Sequence, residues 1–442
     1  MALMPLNRRA RTGDDPADAP ALDTPVTTLQ KWLTAPVILY FFVILMVPVS
    51  ANGTKLVLAL LASIGSLLLL MVRREWPIHR EVFNVALLTI CTGAAWLMYG
   101  LYAETPGAVF SFMIYLIWPL YYIFTFTSAI QSYGTYRAIR RVMVLALILI
   151  GLFVLYFVGH SFGFLPATPL LNLPFGQGIN IATGYTELRL YAISSMIFLL
   201  PYCVSKLAYR PPGARALSYA AAIVLGIAAT ILAGRRAAIL TMAAAPIVLI
   251  ALIQFTPALE RFRIRRNLWL AALAAAFLVG VPLLALPVNL DASGFLGYIQ
   301  SAFDPSSSGD AQVRFEQLAA LLNGWDRNLK TLFFGSGLGA TAGYVRSERV
   351  WEYELQYQLH LFQTGILGTM LYASSIGWIY WRGIGIIRRG GEVASEMVAL
   401  LVGMTCFLLA NATNPYLQAY GHLWTLFLPV AYINLVKLRQ PA

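Results

Sequence analysis

The residues best able to do chemistry in this sequence are a few arginines and one glutamate set among long apolar runs. Arg235 and Arg236 adjoin in Leu232-Ala-Gly-Arg-Arg-Ala-Ala. A guanidinium is planar, permanently charged and forks onto phosphate or carboxylate through paired N–H bonds, so the doublet points to an anionic ligand. The plainer alternative is snorkelling to lipid headgroups. Arg189, in Glu187-Leu-Arg-Leu-Tyr, either pairs with Glu187 as an anchor or faces a central cavity. Arg314 follows Ser306-Ser-Ser-Gly-Asp-Ala-Gln-Val, where a solvated surface charge is the competing reading. Glu354, in Trp351-Glu-Tyr-Glu-Leu-Gln-Tyr-Gln-Leu-His, is a carboxylate able to accept a proton from an incoming hydroxyl. It equally suits an ion pair with an arginine that holds a loop down. Tyr357 shares its helical face three residues on, and His360 lies about 9 Å deeper along the same helix. A lone histidine of this kind is more often a satisfied buried residue than a catalyst.

Gly335-Ser-Gly-Leu-Gly-Ala has no βαβ unit around it, which argues against a dinucleotide site. Its glycines instead let backbone approach a phosphate or another helix closely. The four histidines fall in no HExxH or comparable spacing and no Walker motif is present, so no metal, cofactor or ATP hydrolysis is expected.

These side chains need elements to hold them, and composition says which. Of 442 residues, 59% are hydrophobic and 11% charged. A soluble domain carries about 25% charged residues, so this chain cannot cover a water-facing surface of its size. Soluble enzymes, nucleic-acid modules and secreted disulfide scaffolds are excluded. The net charge of +12 reads as basic cytoplasmic loops, and Cys91, Cys203 and Cys406 lie singly inside apolar runs.

Residues 1–30 are polar, rich in Pro and Asp, and read as a disordered cytoplasmic tail. Apolar stretches of bilayer-crossing length follow near 33–51, 55–72, 82–103, 106–130, 142–160, 188–208, 215–233, 237–256, 268–288, 358–380, 393–411 and 416–436. The expected fold is therefore an all-α polytopic membrane protein of about twelve transmembrane helices. Nine fall in 31–288 and three in 358–442, the latter ending in a short cytoplasmic tail. Most Lys and Arg fall in the N-terminal tail and in alternate loops, such as Arg73-Arg74, Arg140-Arg141, Arg265-Arg266 and Arg388-Arg389. The positive-inside rule makes those segments, and both termini, cytoplasmic. Arg189, Arg235, Arg236 and Arg314 fall on the other side, against the trend. Two connections there are long: 161–187, and 289–357, which spaces Val313, Phe315, Leu318, Leu321 and Leu322 as an amphipathic helix lying at the membrane surface.

Four stretches together resemble one family. They are the small-residue turn at Gly234-Arg235, Arg314 ahead of Leu332-Phe-Phe-Gly-Ser-Gly-Leu-Gly, the helix ending in Gly365-Ile-Leu-Gly368, and Asn411-Ala-Thr-Asn-Pro-Tyr-Leu. In these the chain is similar to the bacterial O-antigen ligase and polymerase superfamily, the Wzy/WaaL-like integral membrane glycosyltransferases. Many members carry a His-Asn pair eleven residues before the first glycine of GxxG; here that position is Glu354-Leu355.

The resemblance implies a GT-C-like fold with 289–357 as a periplasmic catalytic loop in the inner membrane. It implies transfer from undecaprenyl-diphosphate-linked glycan without metal or nucleotide sugar. A glycan hydroxyl attacks the anomeric carbon, the configuration inverts and the diphosphate leaves. Arg189, Arg235, Arg236 and Arg314 then clamp the diphosphate, Glu354 takes the proton, and Tyr357 positions the acceptor. Expected partners are the lipid-linked donor, a glycan acceptor, the bilayer and a chain-length regulator, with no nucleic acid. Polymerisation of repeat units is the leading expectation. Ligation of a finished glycan to lipid A core or a protein is the rival, and a non-catalytic lipid-glycan transporter is the rival from another class.

Overall fold

The computed structural model describes residues 27–73, 76–161, 163–169, 179–180, 187–188, 190–209, 213–233, 235–264, 309–343 and 353–439. Seven helices are long and apolar enough to cross a membrane: α1 (Thr28–Met46), α2 (Asn52–Arg73), α3 (Arg80–Tyr102), α4 (Ala108–Ala129), α5 (Tyr133–Ser161), α7 (Ala214–Ala233) and α12 (Gly391–Asn411). Shorter apolar helices are α6 (Ile193–Ala208), α8 (Arg236–Ile253) and α13 (Trp424–Leu438). Between them come α9 (Gly309–Trp325), α10 (Leu329–Phe334) and the long α11 (Gln356–Ile387). The described strands are one two-residue ladder, pairing Ile179 with Leu188 and Asn180 with Glu187. The chain is thus a polytopic α-helical membrane protein. The expected span near 268–288 lies outside the described residues.

Apolar runs fix where helices cross but not where they start. A capping box opens α1 earlier than expected: the Thr27 side chain accepts from the Gln30 N–H, and Gln30 accepts from the Thr27 N–H. Helix α5 starts nine residues before its apolar run, because arginine is a good helix former and the Ser132 hydroxyl accepts the Thr135 N–H. The last span, expected from residue 416, starts at Trp424; two short 3₁₀ turns, Tyr416–Gln418 and Tyr420–His422, occupy the intervening residues. There Pro415 cannot continue a helix, and a side chain at Gly421 would strike the Pro48 carbonyl. Inside α4, residues Met113–Ile117 form a π turn in which the Trp118 N–H reaches back to the Met113 carbonyl.

At one end of the bundle, charges are buried together. Glu396 on α12 is 2% exposed, and its Oε1 lies 2.8 Å from Arg140 Nη1 of α5 and 3.0 Å from Lys206 Nζ of α6. The Tyr202 and Tyr136 hydroxyls donate to its Oε2 at 2.9 and 3.3 Å, and Lys206 also donates to Ser395 Oγ. Nearby, Glu81 pairs with Lys437 and Arg382, so α3, α11 and α13 meet at the same end. Helix α12 is the central post, with 78% of its spanning window buried.

The opposite end is built around a break. Helix α11 is interrupted at Gly365, whose φ of +64° and ψ of −172° leave the helical region. The Phe362 and Gln363 carbonyls accept instead from the Ser336 and Gly337 N–H groups, at 3.0 and 2.9 Å. The same loop donates its Leu338 N–H to Trp96 of α3, and its Leu338 and Gly339 carbonyls accept from Thr105 and Gly107. A side chain at Gly335 would overlap the Gln363 carbonyl, and one at Gly365 would overlap that of Phe333. Of the two uses open to the glycine run, the structure shows the approach to other helices.

Two stability predictions follow from these ends. Glu396→Leu leaves Arg140 and Lys206 buried without a counter-charge, so it should cost about 3–5 kcal/mol, read as a lower melting temperature in detergent. Gly365→Ala forces a left-handed backbone on alanine, about 1–2 kcal/mol before the overlap is counted. It should reduce the yield of folded protein, whereas Gly377→Ala, in open space on the same helix, should not.

Candidate functional site

Helix α9 puts Arg314 and Gln317 on one face, three residues apart, and turns that face toward the start of α11. Arg314 Nε donates to Glu354 Oε2 at 2.7 Å, while the Glu354 N–H donates to Gln317 Oε1 at 3.1 Å. Arg314 therefore holds the Glu354 side chain and Gln317 its backbone. Gln317 is 1% exposed, so its position is set by packing. Beneath it, Leu321, Tyr353, Leu355, Leu359 and Phe362 form a small apolar cluster of their own. The expected amphipathic helix exists, but its stripe divides: Leu321 is buried in this cluster, whereas Phe315 and Leu322 are exposed. Packing against α11, rather than simple surface adsorption, sets the orientation of α9.

The ion pair is partly exposed, with the Arg314 and Glu354 side chains at 33% and 24% of full accessibility. Such a pair contributes about 0–1 kcal/mol and opens at little cost. Among the described residues the Arg314 Nη1 and Nη2 groups carry no hydrogen bond, so their four N–H donors remain for an anion.

Arg235 joins from another element. It is the N-cap residue of α8, its carbonyl accepting the Ile239 N–H. Arg235 and Arg314 meet electrostatically at Tyr416: burial pushes that hydroxyl's pKa up, and both guanidinium groups pull it back down. Tyr416 packs against Phe407 and His422, and Asn411 Oδ1 accepts the Leu417 N–H to fix its turn. Glu354 and Arg314 are thus paired directly, and the charges of Arg314 and Arg235 are both felt at the half-buried Tyr416. Arg189 and the Arg236 side chain lie outside the described residues.

Tyr357 and His360 are placed differently. The Tyr357 hydroxyl donates to the Leu408 carbonyl of α12 at 2.6 Å, anchoring α11 to α12. His360 stacks on Tyr115, meets Tyr372 edge-on, and its buried Nε2 has no hydrogen-bond partner among the described residues. It faces a mostly apolar cavity of about 300 Å³ between α3, α4, α11 and α13, and so does not share the ion pair at Glu354. Gln356, Tyr357 and Asn411 line one part of that cavity, and Trp378 and Val430 another.

Sequence reasoning missed two residues. Gln317 had one available signal, its place three residues after Arg314. Tyr416 lies in the Asn411–Leu417 stretch that carries part of the family resemblance, but nothing in the sequence assigned it a role.

The arrangement offers convergent cations and one carboxylate next to an apolar cavity. It can hold a doubly charged headgroup by its oxygens and present a base beside it. Tyr357→Phe should remove one hydrogen bond, about 1 kcal/mol of stability, and leave any activity within about threefold. A loss beyond tenfold in a variant with near-normal melting temperature would instead assign the hydroxyl to the reaction.

No family model matches the chain, and neither a curated protein nor a solved structure matches it.

Proposed function

We propose that the protein is an integral membrane glycosyltransferase that polymerises undecaprenyl-diphosphate-linked oligosaccharide repeat units at the periplasmic face of a bacterial inner membrane. The observation that carries this reading is the partly exposed Arg314–Glu354 pair, with an apolar cavity starting one turn away at Tyr357 and the charge of Arg235 felt with that of Arg314 at Tyr416. A lipid diphosphate needs both halves: fixed cations for its headgroup and an apolar channel for its chain. The gathering of Lys31, Arg73, Arg140, Arg382 and Lys437 at the Glu396 end supports a cytoplasmic placement for that end. The site end then faces the periplasm.

In this reading an acceptor hydroxyl attacks the anomeric carbon of the donor. The bond from that carbon to the phosphate oxygen breaks with inversion, and the proton passes to Glu354. Negative charge grows on the departing diphosphate, where Arg314 and Arg235 stabilise it most. Binding of the diphosphate competes for Arg314 and frees the Glu354 oxygen it had occupied. Ligation differs only in the acceptor. The break in α11 is a feature shared with transporters, whose broken helices bind substrate at mid-membrane. Here the freed Phe362 and Gln363 carbonyls are already occupied by loop N–H groups, which favours the enzyme.

The test uses purified protein in detergent with EDTA and a labelled polyprenyl-diphosphate repeat unit. A ladder of lengthening products is expected, with Arg314→Ala and Arg235→Ala each lowering its rate about 10²–10³-fold. Glu354→Gln should keep donor binding and stop turnover. Consumption in one step, only when lipid A core is added, would mean a ligase. A donor that survives both conditions and is flipped across proteoliposomes would mean a transporter. Full activity in both arginine variants would refute the clamp.

A further inference from the structure

A second groove runs between α1 and α5 at the Glu396 end of the bundle, with a volume of about 590 Å³. Its walls are mostly apolar, among them Ile38 and Phe42 of α1 and Val142 and Leu145 of α5, with Gly134 and Ala138 lining it toward the start of α5. At its mouth stand Lys31 and Arg141, both exposed. Neither side chain has a hydrogen bond or ion pair among the described residues. That sets them apart from Arg140, the immediate neighbour of Arg141, which is buried on Glu396. Two adjacent arginines of one helix thus have opposite fates. One closes the interior and the other is left facing a groove.

The sequence places the mouth at a membrane boundary. Val142 begins the apolar run of α5 just after Arg141, and Leu33 begins that of α1 just after Lys31. The groove descends from these cations past Ile38 and Phe42, into the depth that acyl chains occupy. A narrow apolar slot with two unpaired cations at the headgroup level matches a molecule with one hydrocarbon chain to insert and one negative charge to offer.

We infer that this groove is a binding site for an anionic glycerophospholipid of the same leaflet. One acyl chain lies against Ile38, Phe42 and Leu145, and the phosphate lies between Lys31 and Arg141. The site is separate from the Arg314–Glu354 centre, at the other end of the bundle, and it stands whether or not the glycosyltransferase reading does. The apolar lining beyond the cations makes the slot, and the cations choose its occupant. Each basic group near a membrane surface favours an anionic lipid about fivefold, so the pair should give roughly a 30-fold preference.

Full-length protein is delipidated and incubated with equal amounts of phosphatidylglycerol and phosphatidylcholine of matched chains. Retained lipid is then read by native mass spectrometry. One phosphatidylglycerol per protein is expected, at roughly 30-fold over phosphatidylcholine. The Lys31→Gln/Arg141→Gln double variant should retain the two lipids about equally. Ala35→Trp, which fills the slot without touching its charges, should retain neither. Arg215→Gln, an exposed cation on α7, should behave as wild type, and gel filtration with circular dichroism checks that every variant is folded. Equal retention of both lipids by the wild type would overturn the proposal. So would a preference that survives both groove variants, one that Arg215→Gln also removes, or a polypeptide found in the slot in place of lipid.

Discussion

The helix break at Gly365 is the constraint on which the rest of the site end depends. A buried helix end leaves carbonyls without partners, and in an apolar surrounding each such group costs several kcal/mol. The loop Gly335–Leu338 supplies the missing donors, so it must lie against α11. Once it does, Trp96, Thr105 and Gly107 fix it to α3 and the start of α4. Helices α9 and α10 precede this loop directly and Glu354 follows it, so both partners of the ion pair are located by a purely main-chain fit. The glycines are there because carbonyl groups stand where their side chains would be.

The two ends of the bundle treat charge in opposite ways. At one end Glu396 receives two cations and two phenols, an arrangement that engages both carboxylate oxygens inside the bundle. Its desolvation is offset only because every partner is present, and the result is a rigid junction of α5, α6 and α12. At the other end the Arg314–Glu354 pair is partly exposed and leaves guanidinium donors unspent among the described residues. A permanent contact belongs in the first setting and an exchangeable one in the second. The lipid-facing helices between them keep the two regimes apart.

Much of the fold was legible because hydrophobicity in a bilayer is a nearly sufficient code for spanning helices. Ten of the expected spans overlap apolar helices, seven of which are long and apolar enough to cross a membrane, and an eleventh overlaps α11, which is broken at Gly365. What apolarity could not report was the start of α5, where arginines extend a helix into water, or the 3₁₀ turns at 416–423, where Pro415 and Gly421 override an apolar composition. Of the candidate site, Arg314 and Arg235 were legible as basic residues against the positive-inside trend, and Glu354 as a carboxylate at the mouth of an apolar run. Their grouping was not, because it arises from contacts between α8, α9, α11 and the 416–418 turn that no local pattern encodes. Gln317 was hidden for the same reason: its importance lies in which main-chain N–H it meets.

The π turn in α4 gives this bundle a reserve of length. Five residues, Met113–Ile117, close a ring that an α-helix closes with one fewer, so the helix holds a surplus residue just ahead of Pro119. Pro119 has no N–H to give to Tyr115, which lowers the cost of the wider turn at this point. Loss of one residue here would tighten the turn into a regular helix while Phe110 on one side and Tyr122 on the other kept their facing. The same deletion anywhere else in α4 would rotate half its surface by about 100° out of the core. The segment is therefore a place where gene-level gain or loss of a codon can be absorbed, and where chain length can drift without refolding the molecule.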